Sequence, residues 1–339
     1  LGALALTPFA STWAQSLSAA NCPPDCPVSF LTPSIFSPAS AETASIRNLF
    51  NFILVMATLI FVVVEGLLVF AIFRFRNRPP EAAMQFHGNT KLELAWTAAP
   101  AVILAILMGF TFQTMGEVKA VGAPNVIHVK AIGHQWWWEF RYPDLNIVTA
   151  NELVVPVNTV VEVSLESVDV EHGFWVPELF GKTDAVPGYT NRVKFTPAEA
   201  REYFAGLCTQ FCGEQHAQMR FAVKVVTGSD YAAWVINQQQ PPVEPAAEPE
   251  MTGKTVLLGK ACVGCHVING TAAVGQVGPN LTHFASRGFF AGGVLENNPA
   301  NLKAWIRDPQ SIKPGTLMPA VALTDQELDQ IVAYLVSLK

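Results

Sequence analysis

Charge is scarce in this chain. Only 14% of its 339 residues are Asp, Glu, Lys or Arg, and the balance is acidic, at -6, which excludes the basic footprint of a nucleic-acid surface. Half of the residues are hydrophobic, so a wholly soluble fold is disfavoured and membrane segments are expected. Cysteine is sparse as well. The six present form three close pairs, Cys22 with Cys26, Cys208 with Cys212 and Cys262 with Cys265, too few and too clustered for a general disulfide framework.

What is there is concentrated in two short stretches. Cys208-Thr-Gln-Phe-Cys212-Gly-Glu-Gln-His216-Ala-Gln-Met219 puts two thiols, an imidazole and a thioether within twelve residues, and His172 upstream completes the set. Thiolate and thioether sulfur select copper over hard cations. A single blue-copper ion needs one Cys, so the second Cys points to two copper ions bridged by two thiolates. Each ion then takes one His, with Met219 on one and the backbone carbonyl of Gln210 on the other. A Cys208 to Cys212 disulfide, with His216 an ordinary loop residue, is the competing reading.

The second stretch, Cys262-Val-Gly-Cys265-His266, is a c-type haem attachment: two thiols for thioether bonds and a neighbouring His for the iron. Met318, in Gly315-Thr-Leu-Met-Pro319, is the expected sixth iron ligand, since a thioether raises the potential and leaves no open position; core filler is the alternative. Met251, the other methionine of this region, is expected ahead of the first helix and so badly placed.

Around these stretches the chain divides by composition. Residues 1–14 form an apolar run ending in Thr-Trp-Ala, the remnant of a signal peptide or else a short buried helix. In the exported segment 15–44, Cys22 and Cys26 either pair or stand idle. Residues 45–115 contain two apolar runs, about 49–73 and 94–112, the first about 37 Å long at ~1.5 Å per residue, enough to cross a bilayer. Arg74, Arg76, Arg78 and Lys91 lie between them, against Arg47 alone on the preceding flank, so the connecting loop is cytoplasmic and both ends lie outside. Glu65 within the first span faces a protein neighbour or takes part in proton movement.

Residues 116–235 carry short alternating runs punctuated by Pro and Gly, the pattern of an all-β Greek-key sandwich. Residues 236–250 hold four prolines between 241 and 250, a semi-rigid spacer. Residues 251–339 have the size of an all-α class I cytochrome c, in which haem supplies part of the core. Thr324-Asp-Gln-Glu327 is a capping box, and Leu328, Ile331, Val332, Leu335 and Leu338 share one face of the helix it opens, which should pack beside the helix before Cys262. Residues 124–228 carry eight Lys and Arg against twelve Asp and Glu, a balance of -4, while residues 251–339 carry seven against five, or +2. Opposite signs suit a shuttling contact.

Asp169-Val-Glu-His172-Gly-Phe-Trp-Val-Pro-Glu-Leu-Phe-Gly-Lys-Thr-Asp-Ala-Val-Pro-Gly188, together with Cys208 to Met219, closely resembles subunit II of haem-copper cytochrome c oxidases and their CuA centre. Gly133-His-Gln-Trp136-Trp-Trp138 resembles that family's aromatic segment, and Gly278-Pro-Asn-Leu281 resembles bacterial class I cytochromes. The first likeness covers roughly residues 45–235 and implies a two-helix transmembrane hairpin and a cupredoxin domain. It implies that electrons arrive at CuA through Trp136, and that Gln210 supplies its carbonyl where many members have Glu. Trp137 and Trp138 are read as core or membrane-interface anchors.

Glu93, in Lys91-Leu-Glu93-Leu-Ala-Trp96, resembles the family's carboxylate at the mouth of a proton path into subunit I; by position alone it is a helix-end residue. The resemblance further implies oxygen reduction to water with proton pumping in subunit I, a place in a bacterial cell membrane with the copper and cytochrome domains outside, and subunit I, subunit III, lipid and an external cytochrome c or similar donor as partners. The chain has seven histidines. Beyond the three proposed ligands, His87, His128, His134 and His283 are too scattered to build an oxygen-reducing site. Two rivals share these features: the equivalent subunit of a CuA-containing nitric oxide reductase, and a membrane copper-delivery protein.

Overall fold

The computed structural model describes residues 33–77, 79, 88–119 and 126–339. The expected signal-peptide remnant and the Cys22 and Cys26 pair lie outside the described residues.

Helices α1 (Ala41–Phe75) and α2 (Thr90–Lys119) form a hairpin, with Phe52 and Phe110 in ring contact at 4.9 Å. Both run beyond the apolar stretches that define the spans. Ser40 starts α1 by accepting from the Thr43 amide, and the hydrogen-bond ladder continues past the hydrocarbon-length core because water and headgroups tolerate a helix equally well. The apolar windows of the two helices have mean hydropathy 2.8 and 1.9 and none of their residues is buried. A soluble protein would have to cover such surface, so these helices are built for lipid or for a partner's helices. Glu42, buried at the head of α1, accepts from the Thr196 amide at 2.9 Å and ties the hairpin to the globular part.

That part begins with a sandwich of two five-stranded sheets. One has the order β3 (Ile147–Ala150), β2 (Trp137–Tyr142), β1 (Ile127–His134), β5 (Val161–Ser167), β8 (Asn191–Phe195). The other runs β4 (Glu152–Pro156), β10 (Arg220–Val226), β9 (Arg201–Cys208), β6 (His172–Trp175), β7 (Thr183–Ala185). Pairing is antiparallel except for β1 with β5 and β4 with β10. Alternation along β2 sends Trp138, Phe140 and Tyr142 inward, where Trp138 and Phe140 meet Phe174 and Phe221, themselves stacked at 4.4 Å. Trp138 is therefore a core residue of the sandwich and not a membrane anchor. The Tyr142 hydroxyl donates to the Val154 carbonyl and accepts from the Val154 amide, linking the sheets.

After α3 (Gly228–Gln239) the cytochrome unit comprises α4 (Glu250–Leu258), a short ladder of β11 (Phe289–Phe290) with β12 (Leu295–Glu296), α5 (Pro299–Arg307), α6 (Pro309–Ile312) and α7 (Asp325–Ser337). The capping box at Thr324 and Glu327 forms as expected, and all five predicted core residues from Leu328 to Leu338 are buried. Helices α4 and α7 pack together. Their crossing is so close that a Cβ on Gly253 would stand 1.9 Å from the Gln330 carbonyl. Met251 lies inside the first turn of α4, exposed.

Two expectations are corrected. The proline-rich stretch does not hold the units apart: the Gln240 carbonyl faces His283 Nε2 at 3.0 Å, and Lys254 pairs with Glu244. Nor is the contact between sandwich and cytochrome a loose meeting of opposite charges. It buries Glu152, Arg287 and Lys313 and is made by hydrogen bonds to backbone groups.

Candidate metal centre and cofactor cavity

The loop between β9 and β10 brings the sulfur and nitrogen donors together. Cys208 Sγ lies 3.7 Å from Cys212 Sγ and 4.0 Å from His172 Nδ1; Cys212 Sγ lies 3.6 Å from His216 Nδ1 and 3.8 Å from Met219 Sδ. The Gln210 carbonyl is 3.3 Å from Cys208 Sγ. Donors about 2.0–2.3 Å from one tetrahedral metal ion stand about 3.3–3.8 Å apart, so this spacing fits ligation. The disulfide alternative does not fit, because sulfurs bonded to each other lie about 2.05 Å apart and both thiols are free.

Fold and sequence position each donor locally. His172 opens β6, fully buried, and Asp169 Oδ1 holds its Nε2 at 2.8 Å, turning Nδ1 to the sulfurs. Such an outer carboxylate fixes the ring and raises its basicity as a ligand. The two thiols cannot both ionise without a cation. Cys212 holds Cys208 well below the usual thiol range, while Cys208 and burial push Cys212 up.

Trp136 sits directly behind this cluster. Its indole Nε1 donates to the Cys212 carbonyl at 3.0 Å, and Gln135 Nε2 donates to the same oxygen at 2.8 Å. Gly213 makes room, at a φ of +116°, since a Cβ there would press within 3.1 Å of both side chains. On its other side Trp136 lines a cavity, shared with Trp137, in the cytochrome unit. Trp137 also stacks on His134 at 4.2 Å.

The cavity collects Cys262, Cys265, His266 and Met318 on a largely apolar wall. His266 Nδ1 donates to the Pro279 carbonyl at 2.8 Å, which leaves Nε2 with a free lone pair. Burial also depresses its pKa, favouring the neutral, ligating form. Arg287 lines the same cavity, nearly fully buried, with an Nε that has no hydrogen-bond partner. Its Nη2 donates to the Asn280 carbonyl, and a cation with a donor still unmatched on the wall of an apolar cavity suits a planar group bearing carboxylates. The residues thus fit a haem.

Glu93 is far from both sites in the chain and stands exposed in the first turn of α2, its Oε1 accepting from the Asn89 amide at 3.3 Å. Glu65 is exposed on α1. Sequence reasoning missed Asp169, Gln135, Arg287, Glu152 and Lys313 as residues of the site. Asp169, three residues before a proposed ligand His, offered a signal; an isolated Arg or Lys in a polar stretch offered none.

Three family models divide the chain among them: cytochrome c oxidase subunit II, transmembrane domain, over residues 33–114; the periplasmic domain of the same subunit over 145–226; and cytochrome c over 251–339. Cytochrome c oxidase subunit 2 of Alkalihalophilus pseudofirmus is 38% identical over 301 residues, covering 86% of either chain. The chain belongs to the cytochrome c oxidase subunit II family. The same subunit of Bacillus sp. PS3 is 35% identical over 78% of this chain and 80% of its own. Among solved structures, the periplasmic domain of subunit II of cytochrome oxidase of Bradyrhizobium japonicum is 35% identical, covers 33% of this chain and 93% of its own, and has a TM-score of 0.32. Family membership makes the chain part of an oxidoreductase complex with subunit I, and its cupredoxin-like and cytochrome c domains imply CuA and haem c.

Proposed function

We propose that the chain receives electrons from an external donor, such as a soluble cytochrome c, at its cytochrome unit and delivers them from its copper loop to subunit I, where oxygen is reduced to water with proton pumping. Haem and copper, when bound, supply one-electron carriers. The chain's own residues hold, orient and insulate them. Cys262 and Cys265 form the haem thioethers, and His266 and Met318 hold the iron. His172, Cys208, Cys212, His216, Met219 and the Gln210 carbonyl hold a binuclear copper pair. The observation that carries this reading is Trp136, whose ring borders the cofactor cavity while its Nε1 bonds to the carbonyl of Cys212.

We further propose that α1 and α2 cross a bacterial cell membrane with the sandwich (116–235), linker (236–250) and cytochrome unit (251–339) outside. The bare apolar faces of the helices support it, as do Arg74 and Arg76 at the C-terminal end of α1. They would lie against lipid, subunit I and subunit III. On that orientation Glu93 faces the cytoplasmic side, suited to taking up protons for subunit I. Replacing Trp136 with Phe keeps an aromatic ring but removes the donor to Cys212. Flash reduction of the haem in the assembled complex should then show transfer to copper slowed about tenfold or more at unchanged copper content. An unaltered rate would overturn the role of Trp136.

A further inference from the structure

Lys313 is the most deeply buried cation among the described residues, at 2% exposure. An ammonium has three donors, and here each meets a backbone carbonyl: Trp136 at 2.7 Å, Gln218 at 3.0 Å and Ala291 at 3.0 Å. The three carbonyls come from different places. Trp136 belongs to the aromatic turn behind the copper loop. Gln218 precedes the proposed copper ligand Met219. Ala291 lies in the turn joining β11 to β12 of the cytochrome unit. Lys313 itself stands five residues before the proposed iron ligand Met318.

The surroundings have no slack. A Cβ on Gly292 would lie 2.5 Å from Lys313 Nζ and 2.7 Å from the Trp136 carbonyl. The Arg220 amide donates to the Gly292 carbonyl at 2.8 Å, and Gln215 Nε2 donates to the Pro314 carbonyl. The segment 313–315 is therefore clamped between the copper loop and the cytochrome's own ladder. A surface lysine making a passing contact would remain hydrated. A buried ammonium persists only when all its donors are matched, and two of the three matching carbonyls here, those of Trp136 and Gln218, are in reach only while the two units are docked.

We propose that Lys313 is the positioning residue that locks the cytochrome unit onto the copper loop, so that electrons cross between two centres held at a fixed separation within one chain. This rests on the reading of the two sites given above. Lys313 is not among the proposed ligands of either centre, although it lines the cofactor cavity. It fixes the loops that carry Met318, Trp136 and Met219 relative to one another, and electron transfer is sensitive to small changes in that separation. The docked arrangement also explains how a chain with a proline-rich connector avoids a search before each transfer.

The test uses the complete oxidase complex carrying Lys313→Met, which keeps the length and most of the volume of the stem but has no donors. Two measurements are made. Amide hydrogen exchange is followed in peptides spanning 214–220 and 288–294, and haem-to-copper transfer is timed by flash reduction at several solvent viscosities. Exchange in both peptides should quicken at least tenfold, and transfer should slow at least tenfold and become viscosity-dependent, because docking would now precede it. The haem and copper spectra should stay as in the parent. A merely structural lysine would not make the rate viscosity-dependent.

Unchanged exchange and an unchanged, viscosity-independent rate would overturn the proposal. So would failure of the variant to take up haem, which would assign Lys313 to the fold of the cytochrome unit. Gln215→Ala, which removes the neighbouring bond to Pro314 and leaves Lys313 in place, should give a smaller loosening of the same peptides. No change in that variant alongside a haem-free Lys313→Met would likewise count against the lock. If the parent complex shows no haem-to-copper transfer while Lys313→Met still quickens exchange, the functional reading fails and the lock stands.

Discussion

Replacing Glu152 with Gln should remove a pH dependence that the docked chain carries between pH 4.5 and about 7. Glu152, at the start of β4, is 4% exposed, and its Oε1 accepts from the amides of Gly288 and Phe289 at 2.6 and 3.0 Å. Burial lifts its carboxyl from 4.5 to about 7, against the opposing pull of those two amides and of Arg287 and Lys224. At roughly 1.4 kcal/mol for each tenfold change in proton affinity, the ionised form in the folded, docked chain is disfavoured by about 3 kcal/mol.

The direction follows from proton counting. Between pH 4.5 and 7 the docked state binds more protons than the unfolded chain, so stability falls as pH rises through that window and is level above it. Gln offers the same Oε1 to both amides and does not titrate. The stability difference in favour of Glu152→Gln should thus grow from near zero at pH 4.5 to about 3 kcal/mol by pH 8. For a unit of this size that is roughly 6–12 °C in melting temperature. Thermal unfolding of the detergent-solubilised full chain, followed by haem absorbance and tryptophan fluorescence at each pH, measures it. Parallel pH profiles for parent and variant, or an advantage of the parent that grows with pH, would refute the reasoning.

Cys208→Ser should abolish the optical and paramagnetic signal of the copper pair and leave the haem spectrum intact, because the two donor sets lie in separate folding units; loss of both from a folded chain would contradict that separation. Met318→Ala should open the iron to carbon monoxide and lower the haem potential, and a reduced variant that binds no carbon monoxide would mean another residue holds the iron. Glu93→Ala should slow steady-state oxygen uptake by the assembled complex, with haem-to-copper transfer within this chain unaffected, while Glu93→Asp recovers part of the loss. Normal turnover in Glu93→Ala would leave that residue an ordinary helix-end carboxylate.

Local spacing was enough for much of this protein. Two apolar runs long enough to cross a bilayer, a capping box before a one-sided helix, and cofactor donors packed within five or twelve residues are all short-range patterns, and their chemistry does not depend on what lies across the fold. His172 was legible for a different reason, since an unclosed ligand set asks for one more imidazole. Tertiary structure decided the rest. Whether Trp136, Trp137 and Trp138 face membrane, core or cofactor cannot be read from three adjacent indoles, because strand alternation and the partner unit assign each a separate environment. Lys313, Glu152 and Arg287 look like ordinary solvated charges in sequence. Glu152 and Lys313 are buried where the cytochrome unit meets the sandwich and Arg287 on the wall of the cofactor cavity, and the groups that receive them are backbone carbonyls and amides, or an apolar cavity, that no side-chain pattern announces. Net charge suggested a loose encounter for the same reason: it counts side chains and is blind to the backbone groups that make this contact.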